Sequence, residues 1–307
     1  MLVCSARPSP ESPVRSFREA WDEALYGADG FYRRERPAAH FRTSVHASPL
    51  FAGALVRLAR SIGATHLTDI GSGSGELGQA VAALDPDLTV TGIELDDELP
   101  ATLNGLVVAN EWLDNIPCEL AELDDDGVPR YLLEDFSLGP VVEGNDRGWL
   151  DQWWPLAEPG DRAEIGTTRD AAWAGVLDRL ETGLAIAIDY GHVRAGRPPY
   201  GTLTGFRRGR ECDPVPDGSC DLTAHVALDS LGGTITTQRT ALLTLGVSAD
   251  RPGNDLARSD PLRYVAGLSS AGEAAELLDP SGLGAFGWVW TGRGADVVRR
   301  ASRALVV

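Results

Sequence analysis

Residues 64–84, "ATHLTDIGSGSGELGQAVAAL", carry the clearest signal of the fold class. A short apolar-rich run ends at Ile70, glycines follow at alternate positions, and apolar residues then recur three and four positions apart. This order predicts a strand, a tight turn and an amphipathic helix, because the last spacing puts the apolar residues on one helical face. A strand that leads directly into a helix is the repeating unit of α/β folds.

The rest of the chain continues this alternation of helices and strands. Helices are predicted at residues 16–28 and 48–60, and apolar strands at residues 88–94, 105–111 and 184–191. Strands that are apolar on both faces are typical of parallel sheets covered on both sides. The predicted fold class is therefore α/β, with a Rossmann-like, mostly parallel sheet and helices on both faces.

Several shorter elements are predicted in the second half of the chain. Residues 118–136 form a hairpin around an Asp-Gly turn, and a helix with a stripe from Trp173 to Leu180 ends at Gly183 as its C-cap. Residues 192–220 are predicted as a long loop. The remaining predictions are a strand at 161–166, a helix near 221–231, a helix near 239–246 and a closing strand at 286–292.

The domain organisation follows from composition and from these elements. Residues 1–15 are rich in Pro and Ser and are predicted to be a flexible tail. Residues 16–62 form an N-terminal helical cap, and residues 63–307 form the main domain. Insertions into this domain are expected at about 118–160 and 192–220.

The glycine turn can be parsed in two ways. Gly73, Gly75 and Gly78 match the dinucleotide fingerprint, with Glu94 about 20 residues further on. Gly71, Gly73 and Gly75 give the other parse, which we prefer because a tight turn begins where the strand ends. An ordinary strand-helix connection without a ligand remains a third interpretation.

Charge also distinguishes between the two parses. A pyrophosphate at a helix N-terminus gains from positive potential, but Asp69 and Glu76 flank this turn. An acidic turn favours a ligand with ammonium and sulfonium charges, of which S-adenosylmethionine is an example. Glu94, at the end of the second strand, is positioned to accept its two ribose hydroxyls.

A second acidic group follows the third strand in "VVANEWLDNIP", residues 107–117. Asn110, Glu111 and Asp114 come where ligands bind in open α/β sheets, beyond the carboxyl ends of strands. A helical turn starting there would put Glu111 and Asp114 on the same side. Such a pair can perform acid-base chemistry, bind a metal or hold a cation, and a guanidinium fits best because its planar fork matches carboxylates. The plainer alternative is that Glu111 caps a helix and Asp114 is solvated.

Composition limits the class of partner. The chain has 307 residues and a net charge of −18, which argues against nucleic acid as a partner. The four cysteines include no CxxC pair and are predicted to be free thiols. No uninterrupted apolar run reaches the length of a membrane span. We therefore expect a cytoplasmic protein without a metal or a membrane partner.

In order along the chain, a set of motifs resembles the MidA-like methyltransferases, relatives of the mitochondrial arginine methyltransferase that assists assembly of respiratory complex I. The motifs are "ALYGADGFY", "HFRTSVHASPLFA", "DIGSGSGEL", "ANEWLDNIP", "LAIAIDYG", "GTLTGF" and "PVPDGSCDLTAHVAL". The resemblance covers residues 17 to about 245. It implies a class I methyltransferase fold, S-adenosylmethionine as methyl donor and a protein arginine as acceptor.

The resemblance also implies roles for individual residues. The cofactor-binding set comprises Thr43, Ser44, Asp69, Gly71, Gly73, Gly75, Glu94 and Asn110. The catalytic set comprises Asn110, Glu111, Asp114 and His225, and the substrate-binding set comprises Asp189, Tyr190, Asp221 and Thr223.

Two other functions remain open. Only ten residues separate Glu94 from Gly105, where the family carries a longer strand and helix. This departure leaves room for a non-catalytic assembly or scaffold protein with the same fold. A nucleotide-linked oxidoreductase is the third hypothesis. The acceptor, the degree of methylation and the oligomeric state, including a homodimer, are left open.

Overall fold

The computed structural model describes residues 14–34 and 44–306. The helices are α1 (Phe17–Tyr26), α2 (Phe31–Arg34), α3 (Ser44–Ala47), α4 (Pro49–Ile62), α5 (Glu76–Leu84), α6 (Gly144–Trp153), α7 (Thr167–Arg179), α8 (Gln238–Thr244), α9 (Asn254–Ser259), α10 (Pro261–Leu277) and α11 (Ala295–Leu305). The strands are β1 (His66–Ile70), β2 (Thr89–Ile93), β3 (Leu103–Asn110), β4 (Glu119–Leu123), β5 (Pro129–Leu132), β6 (Leu138–Val141), β7 (Arg162–Ile165), β8 (Leu180–Asp189), β9 (Gly191–His192), β10 (Thr204–Arg207), β11 (Arg210–Cys212), β12 (Asp221–Thr223), β13 (Val226–Ala227), β14 (Thr234–Thr237) and β15 (Gly287–Arg293).

A six-stranded sheet forms the centre of the fold, in the order β14-β15-β8-β3-β1-β2. β2, β1, β3 and β8 run parallel to one another. β15 pairs antiparallel with β8, and β14 pairs antiparallel with β15 at the edge of the sheet. The predicted α/β class with a mostly parallel sheet is confirmed. The carboxyl ends of β1, β2, β3 and β8 consequently meet at one edge.

Both faces of this sheet are buried. Along β3, Leu106 and Val108 belong to one apolar cluster, while Val107 and Ala109 belong to another on the opposite face. Helices α4, α5, α8, α10 and α11 contribute to the first cluster, and α7 contributes to the second. Because successive side chains of a strand point to opposite faces, this division explains why β3 reads as a continuous apolar run.

Helix α4 shows how local signals fix an element. The Ser48 hydroxyl accepts a hydrogen bond from the Leu50 N–H at 3.0 Å, and Pro49 occupies the first turn. The helix ends at Gly63, which is left-handed at φ +78°. These are preferred signals for a helix start and stop, and the predicted helix at 48–60 is confirmed.

Smaller sheets are formed by segments that lie between strands of the central sheet along the chain. The predicted hairpin is confirmed as β4 and β5, which belong to an antiparallel sheet in the order β6-β5-β4-β7. A three-stranded antiparallel sheet has the order β11-β10-β12, and β13 pairs in parallel with β9. The domain boundaries predicted from the sequence stay predictions.

Three local predictions are wrong. Residues 221–231 contain β12 and β13 and no helix, because this segment pairs with β10 and β9. Residues 192–220 are not one long loop, since they contain β10 and β11. Gly183 does not cap α7 but lies inside β8, where a Cβ would collide with the Gly105 carbonyl oxygen of β3.

Candidate active site

The glycine turn connects β1 to α5 at the carboxyl edge of the sheet. Gly71, Gly73 and Gly75 have φ angles of +71°, +58° and +82°, a region that glycine enters without a Cβ penalty. The turn begins at Gly71, as predicted, and the helix begins at Glu76. The position of the third fingerprint glycine is thus occupied by an acid.

Neighbouring elements hold the turn on both sides. The N–H groups of Gly71 and Ser72 donate to the Ile93 carbonyl at the end of β2, at 2.9 and 3.2 Å. On the other side, a Cβ added to Gly71 would lie 3.0 Å from Cδ1 of Trp112. Gly71 is therefore required both by its backbone conformation and by the packing of the indole.

Acidic side chains surround this turn. The Glu94 carboxylate accepts a hydrogen bond from the Gly73 N–H, and Glu76 Oε2 accepts one from Ser74 at 3.0 Å. Burial, together with the nearby charges of Glu94 and Glu76, raises the pKa of Asp69 to about 7. A bound cation would offset this repulsion, so the turn is suited to a positively charged ligand.

Glu111 follows the last residue of β3 in a left-handed conformation, with φ +53°. No helical turn forms there, so the prediction that a helix aligns Glu111 with Asp114 is wrong. Instead, Glu111 Oε1 accepts hydrogen bonds from the Ser44 N–H at 3.1 Å and from Asn110 Nδ2 at 3.0 Å. Burial raises the pKa of Glu111 to about 7, against the lowering effect of the Ser44 N–H.

Asp114 is buried beside the same opening. Its Oδ2 accepts hydrogen bonds from the Tyr190 hydroxyl and from Thr223 Oγ1, the latter at 2.7 Å. Its Oδ1 has no hydrogen-bond partner within residues 14–34 and 44–306. Burial raises the pKa of Asp114. A buried acceptor oxygen without a donor is costly, and a cationic donor from a ligand would satisfy it.

Two further carboxylates support this region. Asp189 Oδ2 accepts hydrogen bonds from the N–H groups of Leu113 and Asp114, at 3.0 and 3.3 Å. Both oxygens of Asp221 lie 2.9 Å from the Tyr32 hydroxyl. Asp189 therefore holds the turn that carries Asp114, while Asp221 fixes a tyrosine of the N-terminal helices.

One cavity of about 810 Å³ joins the two acidic regions. Its lining includes Asp69, the glycine turn and Glu94 at one part, and Glu111, Asp114 and Asp221 at another. No arginine, lysine or histidine is among the described residues that line it. The cavity thus offers several carboxylates and no basic side chain.

The structure brings most of the predicted site residues to this cavity. Those that line it are Asp69, Gly71, Gly73, Glu94, Asn110, Glu111, Asp114, Tyr190, Asp221 and Thr223. Gly75, Ser44 and Asp189 do not line the cavity. Gly75 is the last residue of the glycine turn, Ser44 donates to Glu111, and Asp189 accepts from the turn that carries Asp114. His225 is exposed, and its ring lies 5.2 Å from that of Tyr190 without lining the cavity. Thr43 lies outside the described residues.

Sequence reasoning missed several residues of this region. Trp112, Tyr26 and Tyr32 line the cavity, and the two tyrosine rings stack with centroids 5.6 Å apart. Arg169, from the first turn of α7, donates to main-chain carbonyls under the site. Trp112 stands inside the quoted acidic motif, and Tyr26 and Tyr32 stand inside the quoted motif "ALYGADGFY", so these three could have been singled out there. Arg169 has no local signal.

The cavity residues fit S-adenosylmethionine in their charge and in their open hydrogen-bonding capacity. Its ammonium and sulfonium groups carry positive charge that would offset the negative charge of Asp69, Glu76 and Glu94. Asn110 Oδ1, buried at the end of β3, has no hydrogen-bond partner in the described part of the chain and would accept an N–H. Within those same residues, no group of three or more His, Cys, Asp or Glu side chains is arranged to hold a metal ion.

A parallel sheet with an acidic glycine turn at its carboxyl edge defines the class I methyltransferase type of fold. The model of a family described as "Putative S-adenosyl-L-methionine-dependent methyltransferase" matches residues 90–246, about half of the chain. The chain belongs to this family of methyltransferases, and S-adenosylmethionine is accordingly its methyl donor.

Solved structures show the same fold. A COG1565 superfamily member from Burkholderia thailandensis, bound to S-adenosyl-homocysteine, has a TM-score of 0.70 at 23% identity, covering 94% of this chain and 91% of that one. A native crystal structure of a COG1565 superfamily protein from the same organism has a TM-score of 0.71 at 24% identity, covering 92% and 90%. No curated protein matches the chain.

Cys118, Cys212 and Cys220 are free thiols, as predicted. In the part of the chain that the structure describes, none of the helices combines the length and the apolar character needed to cross a bilayer.

Proposed function

We propose that this protein is a MidA-like arginine N-methyltransferase that acts on a protein substrate. The observation that carries the proposal is that one cavity is lined both by the glycine turn and Glu94 and by Glu111 and Asp114. Donor and acceptor sites that share one enclosure can hold their ligands in line, and this orientation is a major part of catalysis in a bimolecular transfer.

The carboxylates match a guanidinium in charge and in hydrogen-bonding capacity. Arg presents N–H donors in a planar fork, and carboxylates bind it in bidentate fashion. Asp114 Oδ1 is buried and has no partner in residues 14–34 and 44–306, so it can accept such an N–H. The stacked rings of Tyr26 and Tyr32 add an aromatic wall beside these acids, and aromatic faces also attract cations.

The side chains of the site have separate tasks in the proposed reaction. When bound, S-adenosylmethionine supplies a methyl group on a sulfonium sulfur, and the C–S electron pair stays on that sulfur as the new C–N bond forms. Asp114 orients the guanidinium and concentrates its positive charge away from the attacking nitrogen. Glu111, with a pKa of about 7, is poised to accept the proton that this nitrogen must lose.

A non-catalytic assembly or scaffold role is the second candidate. The connection from β2 to β3 comprises residues 94–102 and contains no helix, so the wall on this side of the donor site is short. Leu95, Asp97 and Leu99 nevertheless line the cavity, which supports retention of donor binding. We also propose a cytoplasmic location and a protein partner for the arginine methyltransferase.

Calorimetric titration separates these candidates. We expect S-adenosylmethionine to bind and NAD to give no heat. Incubation of the donor-loaded protein with a cell extract and methyl-labelled donor should then place label on protein arginine. No heat with S-adenosylmethionine or NAD would favour the scaffold, and heat with NAD alone would favour an oxidoreductase.

A further inference from the structure

A buried arginine beneath the site links the two segments that carry its acceptor-side residues. Arg169 projects from the first turn of α7 and is 2% exposed. Its four hydrogen bonds all end on main-chain carbonyls, and none of them reaches a carboxylate. Nη2 donates to Asp114 at 2.7 Å, Nε to Ile116 at 3.1 Å, and Nη1 to Ala224 at 3.2 Å and His225 at 3.0 Å.

The two linked segments come from distant parts of the chain. The acceptor turn, residues 113–116, follows β3 and carries Asp114. The β12–β13 segment, residues 221–227, carries Asp221 and Thr223. They also touch directly, since the Ala224 N–H donates to the Asp114 carbonyl at 3.3 Å. Asn115 and Thr223 add direct hydrogen bonds between the two segments. Arg169 adds four donors that bridge the two segments from beneath.

Other contacts hold the guanidinium itself in place. Its carbon lies 5.7 Å from the centroid of the Trp21 ring in α1, and the Trp21 indole N–H donates to the Leu222 carbonyl at 3.2 Å. A planar group with five donors can serve three directions at once, whereas a lysine ammonium is a single point on a flexible stem. The site therefore depends on the fork as well as on the charge.

We propose that Arg169 is a positioning residue, which holds the acceptor turn against the β12–β13 segment so that Asp114 and Thr223 meet the acceptor in fixed geometry. This inference rests on the proposed methyl transfer for its functional part. Its structural part stands alone, because the hydrogen bonds of Arg169 involve no ligand. The charge of Arg169 also favours the ionised form of Asp114 against the effect of burial.

The test compares Arg169→Gln, which removes charge and fork, with Arg169→Lys, which removes the fork alone. Arg179→Gln is the matched control, since Arg179 lies at the other end of α7 and donates only to Gly175 within its own helix. For each variant we would measure S-adenosylmethionine binding by calorimetry, methyl transfer per donor-binding site, and hydrogen exchange by mass spectrometry.

For Arg169→Gln we expect donor affinity within about twofold of the parent and transfer per site lower by roughly a hundredfold, as for a misplaced reacting group. Exchange should accelerate in residues 113–116 and 221–227 while β1 and β8 stay protected. Arg169→Lys should lose about tenfold in transfer, and it carries the test if the Gln variant does not fold.

Two outcomes would overturn the inference. Transfer per site equal to the parent in both variants would show that the fork positions nothing of catalytic value. Exchange that accelerates equally throughout the chain would identify a general structural residue. If the parent itself transfers no methyl group, the proposed function fails, and the pattern of exchange alone decides whether Arg169 holds these two segments.

Discussion

At Glu111 the chain accepts a left-handed backbone conformation on a residue with a side chain. Such a conformation costs about 1–3 kcal/mol and persists where the surroundings enforce it, often at functional sites. Here Ser44 and Asn110 hold the carboxylate from two sides. Glu111 follows β3 directly and lines the cavity there.

Replacing Glu111 by Gln should abolish methyl transfer and leave donor affinity within about twofold, because the amide keeps the shape but cannot accept the proton. Transfer is measured with labelled donor and affinity by calorimetry. Glu122→Gln is the control. Glu122 lies on β4, forms an ion pair with Arg162 of β7 and does not line the cavity. Equal transfer by Glu111→Gln and the parent would remove Glu111 from the mechanism.

Donor binding should weaken as the pH falls below about 7. Asp69 has a pKa of about 7 without ligand, and a cationic donor favours its ionised form, so binding at lower pH must expel a proton. Affinity should then fall by up to about tenfold per pH unit, and calorimetry in buffers of different ionisation enthalpy should detect proton release. Asp69→Asn should flatten this dependence, and an unchanged slope would assign the proton elsewhere.

Among the elements, the turn between β1 and α5 is the one most fully determined by local sequence. Gly71, Gly73 and Gly75 all have left-handed φ angles, which glycine adopts readily. These alternate glycines therefore determine the backbone conformation of the turn. The indole of Trp112 then closes against the first of them. The donor end of the site is thus built by a strand, a turn and one packed aromatic ring.

Gly71→Ala should weaken donor binding at least about tenfold and lower stability by about 1–2 kcal/mol, because a Cβ at φ +71° is strained and meets Trp112 at 3.0 Å. Calorimetry and thermal unfolding measure the two effects. Gly148→Ala is the matched control. Gly148 lies in α6 with nothing within 4 Å of the position that a Cβ would take, and alanine there should be neutral or stabilising. Similar losses in both variants would contradict the role of the turn.

The sequence pattern correctly predicts the helices and strands whose signals lie in neighbouring residues. The strand, turn and helix of residues 64–84 and the hairpin of β4 and β5 have their signals within a few neighbouring residues, and all of them form. Asp69, Gly71 and Glu94 could be selected for the same reason. The carboxyl ends of parallel strands meet at one edge, which also brought Glu111 and Asp114 into the prediction.

Elements that depend on distant partners could not be predicted in this way. Residues 221–231 have apolar spacings that suit a helix, but pairing with β10 and β9 makes them two short strands. Tyr26 and Tyr32 reach the cavity only because the N-terminal helices pack over it. Arg169 is separated from its acceptors by about 50 residues of chain, so nothing near it in sequence indicates its role.

At the scale of the whole molecule, negative charge is the dominant property. The chain carries a net charge of −18, and its main cavity is lined by carboxylates without a basic side chain among the described lining residues. A field of this sign attracts cationic ligands and speeds their encounter, most strongly at low salt. It is consistent with a cationic donor and with an arginine as the acceptor.

Buried acids should also make the stability of the fold depend on pH. Asp69 and Glu111 each have a folded pKa of about 7, well above that of an unfolded chain, so their contribution to stability is lost as pH rises through 7. Between about pH 6.5 and 8.5 the free energy of unfolding without donor should fall by about 1–2 kcal/mol from these two groups. Below this window His192, whose pKa burial lowers to about 3, acts with the opposite sign.

Denaturant unfolding at several pH values measures this slope. The variant carrying both Asp69→Asn and Glu111→Gln should show a smaller loss of stability over the same range. Stability that rises from pH 6.5 to 8.5 in the parent would contradict the assignment of raised pKa values to these carboxyls.

Arginine methylation at this site can be measured by site-resolved mass spectrometry of a cell extract incubated with methyl-labelled S-adenosylmethionine and either the parent protein or Glu111→Gln. We predict labelled methylarginine in at least one protein with the parent and none with the variant. Label on another residue type, or on arginine to the same extent with both proteins, would contradict arginine methylation at this site.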